Sequence, residues 1–254
     1  ISIKDPELVA RAQLAMASWS ERYGNSRGAQ QLLKGALNLM STRDPPQMDL
    51  NVRARLLNHL INVWCQRGMH HFASRYVEDL QYIAQVTGLP AISSRVEWAR
   101  ACILASYGEY LPAREAIMRA EAIASRHGLT ALRIELARQH ATLAIEADDF
   151  ESTLGILNAL LGLSEQHKDA YSFQRAQDMR SYSMAMIGLD LDDALVHLQQ
   201  SLQRASFRQI PRDIYRSHLF LKRILERSGD AAAAAHHAAQ SKRFTDIMRL
   251  PITA

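Results

Sequence analysis

The chain of 254 residues contains few of the residues that interrupt helices, with 11 glycines and 7 prolines. Strand signals are absent as well, because no alternating β-branched run and no Asn-Gly hairpin turn occurs. The prolines fall at predicted helix ends or turns, where a missing backbone N–H costs little. Most glycines do the same, the exceptions being Gly28, Gly35, Gly155 and Gly162. These scarcities predict an almost wholly helical chain.

Cysteine and long apolar runs are also scarce. Cys65 and Cys102 are the only cysteines, and their separation of 37 residues is not a metal-binding spacing. Two isolated thiols exclude a disulfide scaffold and favour a reducing compartment. No apolar run approaches the roughly 20 residues that span a bilayer, and no signal peptide is present. We therefore expect a cytoplasmic protein that does not contact the membrane.

The chain has no large excess of charge of either sign, with 30 lysines and arginines against 26 aspartates and glutamates. The net charge is only +4, which is too small an excess for a dedicated nucleic-acid-binding domain. We expect no direct nucleic-acid binding. Since the chain opens Ile-Ser-Ile-Lys-Asp without an initiator Met, we interpret it as a piece of a longer protein. Residues 1–254 are predicted to form a single repeat domain, with any catalytic or DNA-binding module outside it.

What the chain does contain is a corner that recurs at a fixed spacing. In its clearest copy, Gly108 closes one helix, a short polar turn follows, and Ala113 opens the packed face of the next helix. The corner markers are Gly24, Gly68, Gly108, Asp148, Gly188 and Gly229, separated by 44, 40, 40, 40 and 41 residues. A small residue lies five positions after each marker except Gly188, after which Ala194 comes one position late. Such a period is the signature of a repeat array.

A second series with the same period marks the joins between successive helix pairs: Gly88, Gly128, Lys168 and Arg208. The two interleaved series divide the chain into antiparallel helical hairpins joined by tight turns. No single helix could bury its apolar stripe alone, so stacking of the hairpins must supply the core. The predicted fold is all-α, a right-handed α-solenoid of about six antiparallel helix pairs with a period of about 40 residues.

At its corners the chain resembles the tetratricopeptide repeat (TPR) superfamily. The resemblance rests on Gly108-Glu109-Tyr110 with Ala113, and on looser copies at Gly68 and Asp148. It implies a TPR-like fold that lines its inner surface with the first helix of each pair. With their long period, the hairpins also resemble the MalT-like helical-repeat effector domain of large LuxR-type bacterial transcription regulators. HEAT-type repeats share the period of about 40 residues. They are the second choice of family, because a corner with a glycine, an aromatic residue and then an alanine is not typical of them.

The first helices carry an arginine ladder. Thirteen positions before each marker come, in order, Arg11, Arg55, Arg95, Glu135, Arg175 and Arg216. Positions ten and six before the markers add amide, aromatic and further basic side chains. The predicted groove residues are Arg55, Asn58, Asn62, Arg95, Trp98, Arg138, Arg175 and Tyr182. Guanidinium groups suit carboxylates and phosphates, so the groove is predicted to hold an acidic or polar ligand. In the alternative interpretation, these arginines pair with acids of adjacent hairpins such as Glu97, Glu135 and Asp178.

Signals of catalysis or metal binding are weak. His70-His71 and His236-His237 are adjacent pairs whose members point to different helix faces, unlike the i, i+4 pair that a metal prefers. No HExxH, CxxC, phosphate-binding glycine loop or nucleophile elbow occurs. We therefore expect no enzyme activity, no metal and no cofactor.

The function predicted from these features is ligand or partner binding. The leading hypothesis is the sensor or effector domain of a bacterial transcription regulator, which takes a small-molecule effector or an acidic or polar protein segment. The alternative is a protein–protein interaction adaptor or a peptide-receptor scaffold. A homodimer through the terminal helices is a further hypothesis about partners.

Overall fold

A computed structural model describes residues 5–41 and 49–249, and these residues are helical apart from short turns. The first six helices are α1 (Pro6–Arg22), α2 (Ser26–Ser41), α3 (Leu50–Gln66), α4 (His70–Thr87), α5 (Pro90–Ser106) and α6 (Tyr110–Arg126). The other six are α7 (Thr130–Glu146), α8 (Phe150–Gln166), α9 (Ala170–Met186), α10 (Leu191–Phe207), α11 (Pro211–Ser228) and α12 (Ala231–Arg249). They form six antiparallel pairs, which confirms the predicted hairpins. None of these twelve helices has a stretch apolar and long enough to cross a bilayer.

The described residues group into two compact units. The first unit consists of the described residues within Ile1–Glu21 and Asn25–Leu136. The second unit consists of the described residues within Arg22–Gly24 and Ala137–Ala254. Within the first unit, α3 packs against α4 and also against α5, the first helix of the next pair. Within the second unit, α9 packs against α8, α10 and α11. First helices of successive pairs are therefore neighbours in each unit, which places their side chains side by side.

Each corner is built as the repeat predicts. Gly108 has φ of 81°, and the amide of Glu109 donates to the carbonyl of Leu104 at 3.0 Å, which closes the end of α5. A left-handed residue at this position satisfies otherwise unpaired helix carbonyls. The small residues that follow the corners are all buried, with at most 4% exposed: Ala29, Ala73, Ala113, Thr153, Ala194 and Ala234. Their size lets the two helices of each hairpin approach closely.

The fifth corner contains one extra residue. Both Gly188 and Asp190 have positive φ there, 85° and 49°, and α10 starts at Leu191, three positions after the marker. In the third pair, α6 starts two positions after its marker Gly108. The insertion explains why Ala194 comes one position late. It also moves the next join by one residue, so Gln209 adopts the left-handed conformation (φ 52°) in place of the predicted Arg208.

A candidate anion-binding site on the first helices

The arginine ladder lies on α1, α3, α5, α9 and α11, which are all first helices of their pairs. Because α3 packs on α5 in the first unit and α9 packs near α11 in the second, ladder residues meet in each unit separately. The two clusters differ in how their charge is balanced.

In the first unit, Arg95 is the centre of the cluster. It is 8% exposed, and its guanidinium Nη1 lies 3.9 Å from a carboxylate oxygen of Glu135. Asn58 is 2% exposed and contacts Arg95 twice: its Nδ2 donates to the Arg95 carbonyl at 3.4 Å, and its Oδ1 accepts from Nη1 at 3.5 Å. Burial lowers the pKa of Arg95, Glu135 raises it, and the charge of Arg55 lowers it again. This cluster therefore has an internal counter-ion.

The two other predicted residues of the first unit take no part in that cluster's hydrogen bonds. Trp98 is buried, with 5% exposed, and its indole Nε1 has no hydrogen-bond acceptor among the described residues. Asn62 is half-buried and accepts a hydrogen bond of 3.0 Å from Gln66 on its own helix.

In the second unit, Arg175 on α9 is the centre of the second cluster. It is 9% exposed, and Arg138, Arg216, Tyr171 and Asp213 all act on it electrostatically. In the part of the chain that the structure describes, no carboxylate lies within ion-pair distance of the Arg175 guanidinium. Asp213 instead pairs with Arg216 on its own helix, at 3.7 Å. Arg175 is thus a buried cation without a direct counter-ion.

Arg138 is held beside Arg175 by two contacts. Its Nη1 donates to the hydroxyl of Ser172 at 3.4 Å, and its guanidinium carbon lies 5.6 Å from the centre of the Tyr171 ring. A guanidinium over an aromatic face is attracted by the negative face of the ring. The ring and the hydroxyl therefore fix Arg138 in place without neutralising it.

The pKa values of this cluster show a positive local potential. Burial lowers the pKa of Arg175, and the charge of Arg216 lowers it further, to about 9. Burial alone raises the pKa of the Tyr171 phenol, but the charges of Arg175, Arg216 and Arg138 outweigh burial, so its pKa lies below the ordinary value. A half-buried tyrosine that ionises more readily than in water indicates an excess of positive charge around it.

Tyr182, the last predicted residue, lies in the core of the second unit. It is fully buried and stacks on Phe220 with ring centres 4.2 Å apart, while Phe150 meets its edge at 5.7 Å. Its hydroxyl accepts a hydrogen bond of 3.2 Å from Arg223, which also lies 3.8 Å from Asp148. The aromatic ring thus packs in the core, and only the hydroxyl contacts a polar side chain.

The alternative pairing interpretation holds for one of its three named acids. Glu135 pairs with the ladder residue Arg95. Glu97 instead pairs with Arg100 and Arg119, which are not in the ladder. Asp178 accepts hydrogen bonds from Ser201 and Gln174 and contacts His197 at 3.0 Å. Arg175 therefore differs from Arg95, although both occupy the same position of the repeat.

Sequence reasoning placed Arg216 in the ladder but did not select it, and it missed Tyr171, Ser172 and Asp213. A usable signal exists for two of them. Tyr171 lies four residues before Arg175, and Asp213 three residues before Arg216, which are the spacings of helix neighbours. Ser172 carries no such signal, because its contact with Arg138 joins two helices.

Among the described residues, no group of three or more His, Cys, Asp or Glu side chains could hold a metal ion. His237 is nevertheless not isolated, because its Nδ1 lies 2.8 Å from Nδ1 of His218 on α11. His70 packs against the ring of Tyr107 with centres 4.6 Å apart. No sequence pattern indicates the contact between His218 and His237.

No protein-family model and no curated protein matches the chain. Solved structures do match. A Rap protein complexed with Competence and Sporulation Factor superposes with a TM-score of 0.75 at 11% identity, covering 97% of this chain and 66% of that one. Aspartyl phosphate phosphatase F from Bacillus subtilis gives 0.70 at 10% identity, with coverage of 98% and 62%.

NprR in complex with its cognate peptide NprX gives a TM-score of 0.59 at 13% identity, covering 92% of this chain and 67% of that one. At such low identities the similarity establishes the fold alone, and the fold is the TPR-like helical repeat. The chain spans slightly less than two thirds of the length of the Rap protein and of phosphatase F.

Proposed function

We propose that this chain is a non-catalytic receptor domain that binds an acidic peptide or protein segment along its first helices. The observation that carries the proposal is the cluster around Arg175, a buried cation with two further arginines beside it and no carboxylate in ion-pair contact. A buried charge without a partner is costly to maintain. A bound acidic group would offset that cost, so the arrangement is suited to a ligand.

The comparisons support this function by analogy. The Rap protein and NprR were each solved with a bound factor or peptide, so a stack of this fold can hold such a ligand. Fold similarity does not fix function, and the proposal therefore depends on the arginines of this chain. These similarities favour a peptide receptor or interaction scaffold over the effector domain of a transcription regulator.

The arrangement of Ser201, His197 and Asp178 supports the absence of catalysis in this proposal. A nucleophilic serine needs a histidine that takes its proton, with an acid behind that histidine. Here the Ser201 hydroxyl donates directly to one carboxylate oxygen of Asp178 at 2.8 Å, and His197 contacts the other oxygen at 3.0 Å. The acid thus lies between serine and histidine, which is the wrong order for activation.

The second candidate is the sensor or effector domain of a LuxR-type transcription regulator, which takes a small anionic effector. It is favoured by the burial of Arg175, because a guanidinium that is only 9% exposed suits a compact anion better than a long peptide. An ATPase module and a LuxR-type helix-turn-helix in the same full-length chain would support this candidate.

Fluorescence anisotropy with labelled peptides tests the main proposal. Peptides rich in Asp and Glu are compared with peptides that carry Asn and Gln at the same positions. The acidic peptides are expected to bind, and Arg138→Glu to abolish binding, since it reverses a half-buried charge of the cluster. Arg227→Glu, at an exposed position of α11, is the matched control. Equal binding by the amide peptides, or equal losses in the two variants, contradicts the proposal.

A further inference from the structure

We infer that Arg138, Arg175 and Arg216 together bind a tetrahedral oxyanion, the chemistry of a phosphate group. This inference rests on the proposed function for the source of the anion, and it goes further in naming the group that the cluster recognises.

The number of guanidinium groups is the first argument. Arg138 on α7 and Arg216 on α11 both act electrostatically on Arg175 of α9. The contacts of Arg138 with Ser172 and with the Tyr171 ring place it against α9, about one turn from Arg175. A planar carboxylate is satisfied by one arginine fork, whereas a phosphate presents three terminal oxygens in three directions. Convergence from three helices therefore matches a tetrahedral anion better than a carboxylate.

The balance of charge is the second argument. The groups that act on Arg175 are two arginines and Tyr171, with Asp213 as the single carboxylate. Three guanidinium charges against this one carboxylate leave the groups around Arg175 positively charged. Glu146 also acts on Arg216, and it faces Arg223, which pairs with Asp148. When these three residues are included, four arginines face three carboxylates, so the cluster keeps a positive excess that an anion can match.

The gradient of burial is the third argument, because it gives the anion a way in. Arg175 is almost fully buried, whereas the side chain of Arg216 is 23% exposed and Arg138 and Tyr171 are half-buried. A ligand can therefore reach Arg216 and Arg138 from solvent and contact Arg175 on its inner side. Arginine forks form charge-assisted, often bidentate hydrogen bonds with phosphate oxygens, so all three side chains can donate to one anion.

Thermal unfolding with inorganic phosphate as the probe tests the inference directly. The full chain is titrated with phosphate, sulfate, acetate and succinate at constant ionic strength. Phosphate and sulfate are expected to raise Tm, because a ligand that binds only the folded state stabilises it. Acetate and succinate are expected to raise it much less. An equal effect of either carboxylate overturns the inference of a tetrahedral anion.

Variants locate the effect. Arg175→Met and Arg216→Met are each expected to weaken phosphate binding at least about tenfold, the loss of one charge-assisted contact. Arg227→Met, at an exposed position of α11, is expected to bind as the parent chain does. Arg216 is half-buried, so its variant reports on binding even if Arg175→Met folds poorly. Equal affinity in all three variants overturns the assignment.

Binding measurements with peptides distinguish a failure of this inference from a failure of the proposed function. Phosphate binding without binding of any acidic peptide supports the anion site and contradicts the peptide-receptor proposal. An acidic peptide that binds the parent chain and Arg175→Met equally supports the receptor and overturns the anion site. Tighter binding of a phosphoserine peptide than of its Glu counterpart supports both and identifies a phosphorylated segment as the source.

Discussion

The imidazole rings of His218 and His237 face each other, with their Nδ1 atoms 2.8 Å apart. At this separation one ring must donate and the other accept, so the pair holds at least one neutral histidine. Burial lowers the pKa of His218, and His237 and His236 lower it further, to about 4. The pKa of His237 is lowered as well, first by burial and then by His236.

The pair predicts acid sensitivity. A histidine that stays neutral in the folded state, while its unfolded form takes a proton near pH 6.5, stabilises the fold above that pH. This stability is lost as the pH falls from about 6.5 towards 4. We expect a loss of about 2 kcal/mol for the pair, allowing for partial exposure. Urea unfolding across this pH range, compared with His218→Gln, measures it.

The difference between the parent chain and His218→Gln isolates the pair from carboxylates that titrate in the same range. His167→Gln, at the exposed position directly after α8, is the control and is expected to unfold as the parent chain does at every pH. A constant difference between the parent chain and His218→Gln from pH 7 to pH 4 would contradict the prediction.

Arg175→Met is expected to stabilise the chain in the absence of anions. The residue is a buried cation without a carboxylate in contact, and replacing a buried charge by an apolar side chain is often stabilising by about 1–4 kcal/mol. The folded-state pKa of about 9 lies below that of a free arginine. The parent chain therefore gains stability as the pH rises above about 9. The difference in unfolding free energy between Arg175→Met and the parent chain should become smaller over the same range.

Unfolding in phosphate-free buffer at neutral and high pH measures both effects. Arg216→Met is the comparison variant, with a smaller gain because its side chain is 23% exposed and paired with Asp213. A variant Arg175→Met that is much less stable than the parent chain would contradict this prediction and show that the buried cation is favourably paired.

Glu135→Gln is expected to destabilise the chain at the first cluster, whereas Arg175→Met is expected to stabilise it at the second. Within residues 5–41 and 49–249, Glu135 is the only carboxylate that acts on the buried Arg95, so the substitution leaves that cation unmatched. The pair is 3.9 Å apart and Glu135 is partly exposed, so we expect a loss of about 1–2 kcal/mol, below that for a fully buried pair. Glu115→Gln, an exposed position of α6, is the control in the same unfolding experiment. Equal stability of both variants would show that Asn58 alone satisfies Arg95.

The joins between hairpins predict a reciprocal pair of substitutions. Gly128 and Lys168 occupy equivalent positions with φ of 65° and 55°. Glycine adopts this conformation without strain, so Lys168→Gly is expected to stabilise by up to about 1 kcal/mol and Gly128→Lys to destabilise by about as much. A Cβ at Gly128 would meet no atom within 4 Å, so the effect reports the backbone alone. Thermal unfolding checks both; changes of the same sign would contradict the argument.

The helices were predictable from the sequence because each corner is a local signal. The glycine or aspartate that ends a first helix and the small residue after it, such as Gly108 and Ala113, together fix both the turn and the closest packing point. The ladder was predictable for the same reason, since a fixed offset from a corner selects one helix face. What could not be predicted was which ladder arginine has a counter-ion.

Arg95 and Arg175 illustrate this limit. They share one repeat position, yet the first lies beside Glu135 and the second beside Arg216. The difference depends on which side chain the neighbouring first helix presents, and on how deeply each arginine is buried. Tyr182 shows the same limit. Its position, six residues before the marker Gly188, predicted a groove residue, but its stacking on Phe220 places it in the core.

Gly88 and Gly128 have practically the same backbone conformation, with φ of 61° and 65°, and they enclose one complete hairpin. Residues 89–128 therefore behave as an interchangeable cassette, which recombination could duplicate or delete while both junctions keep their geometry. The hairpin with the extra residue at Asp190 needs a cassette one residue longer. An engineer who shortens or extends this chain should cut at these glycines and count 41 residues, not 40, for the segment that contains Asp190.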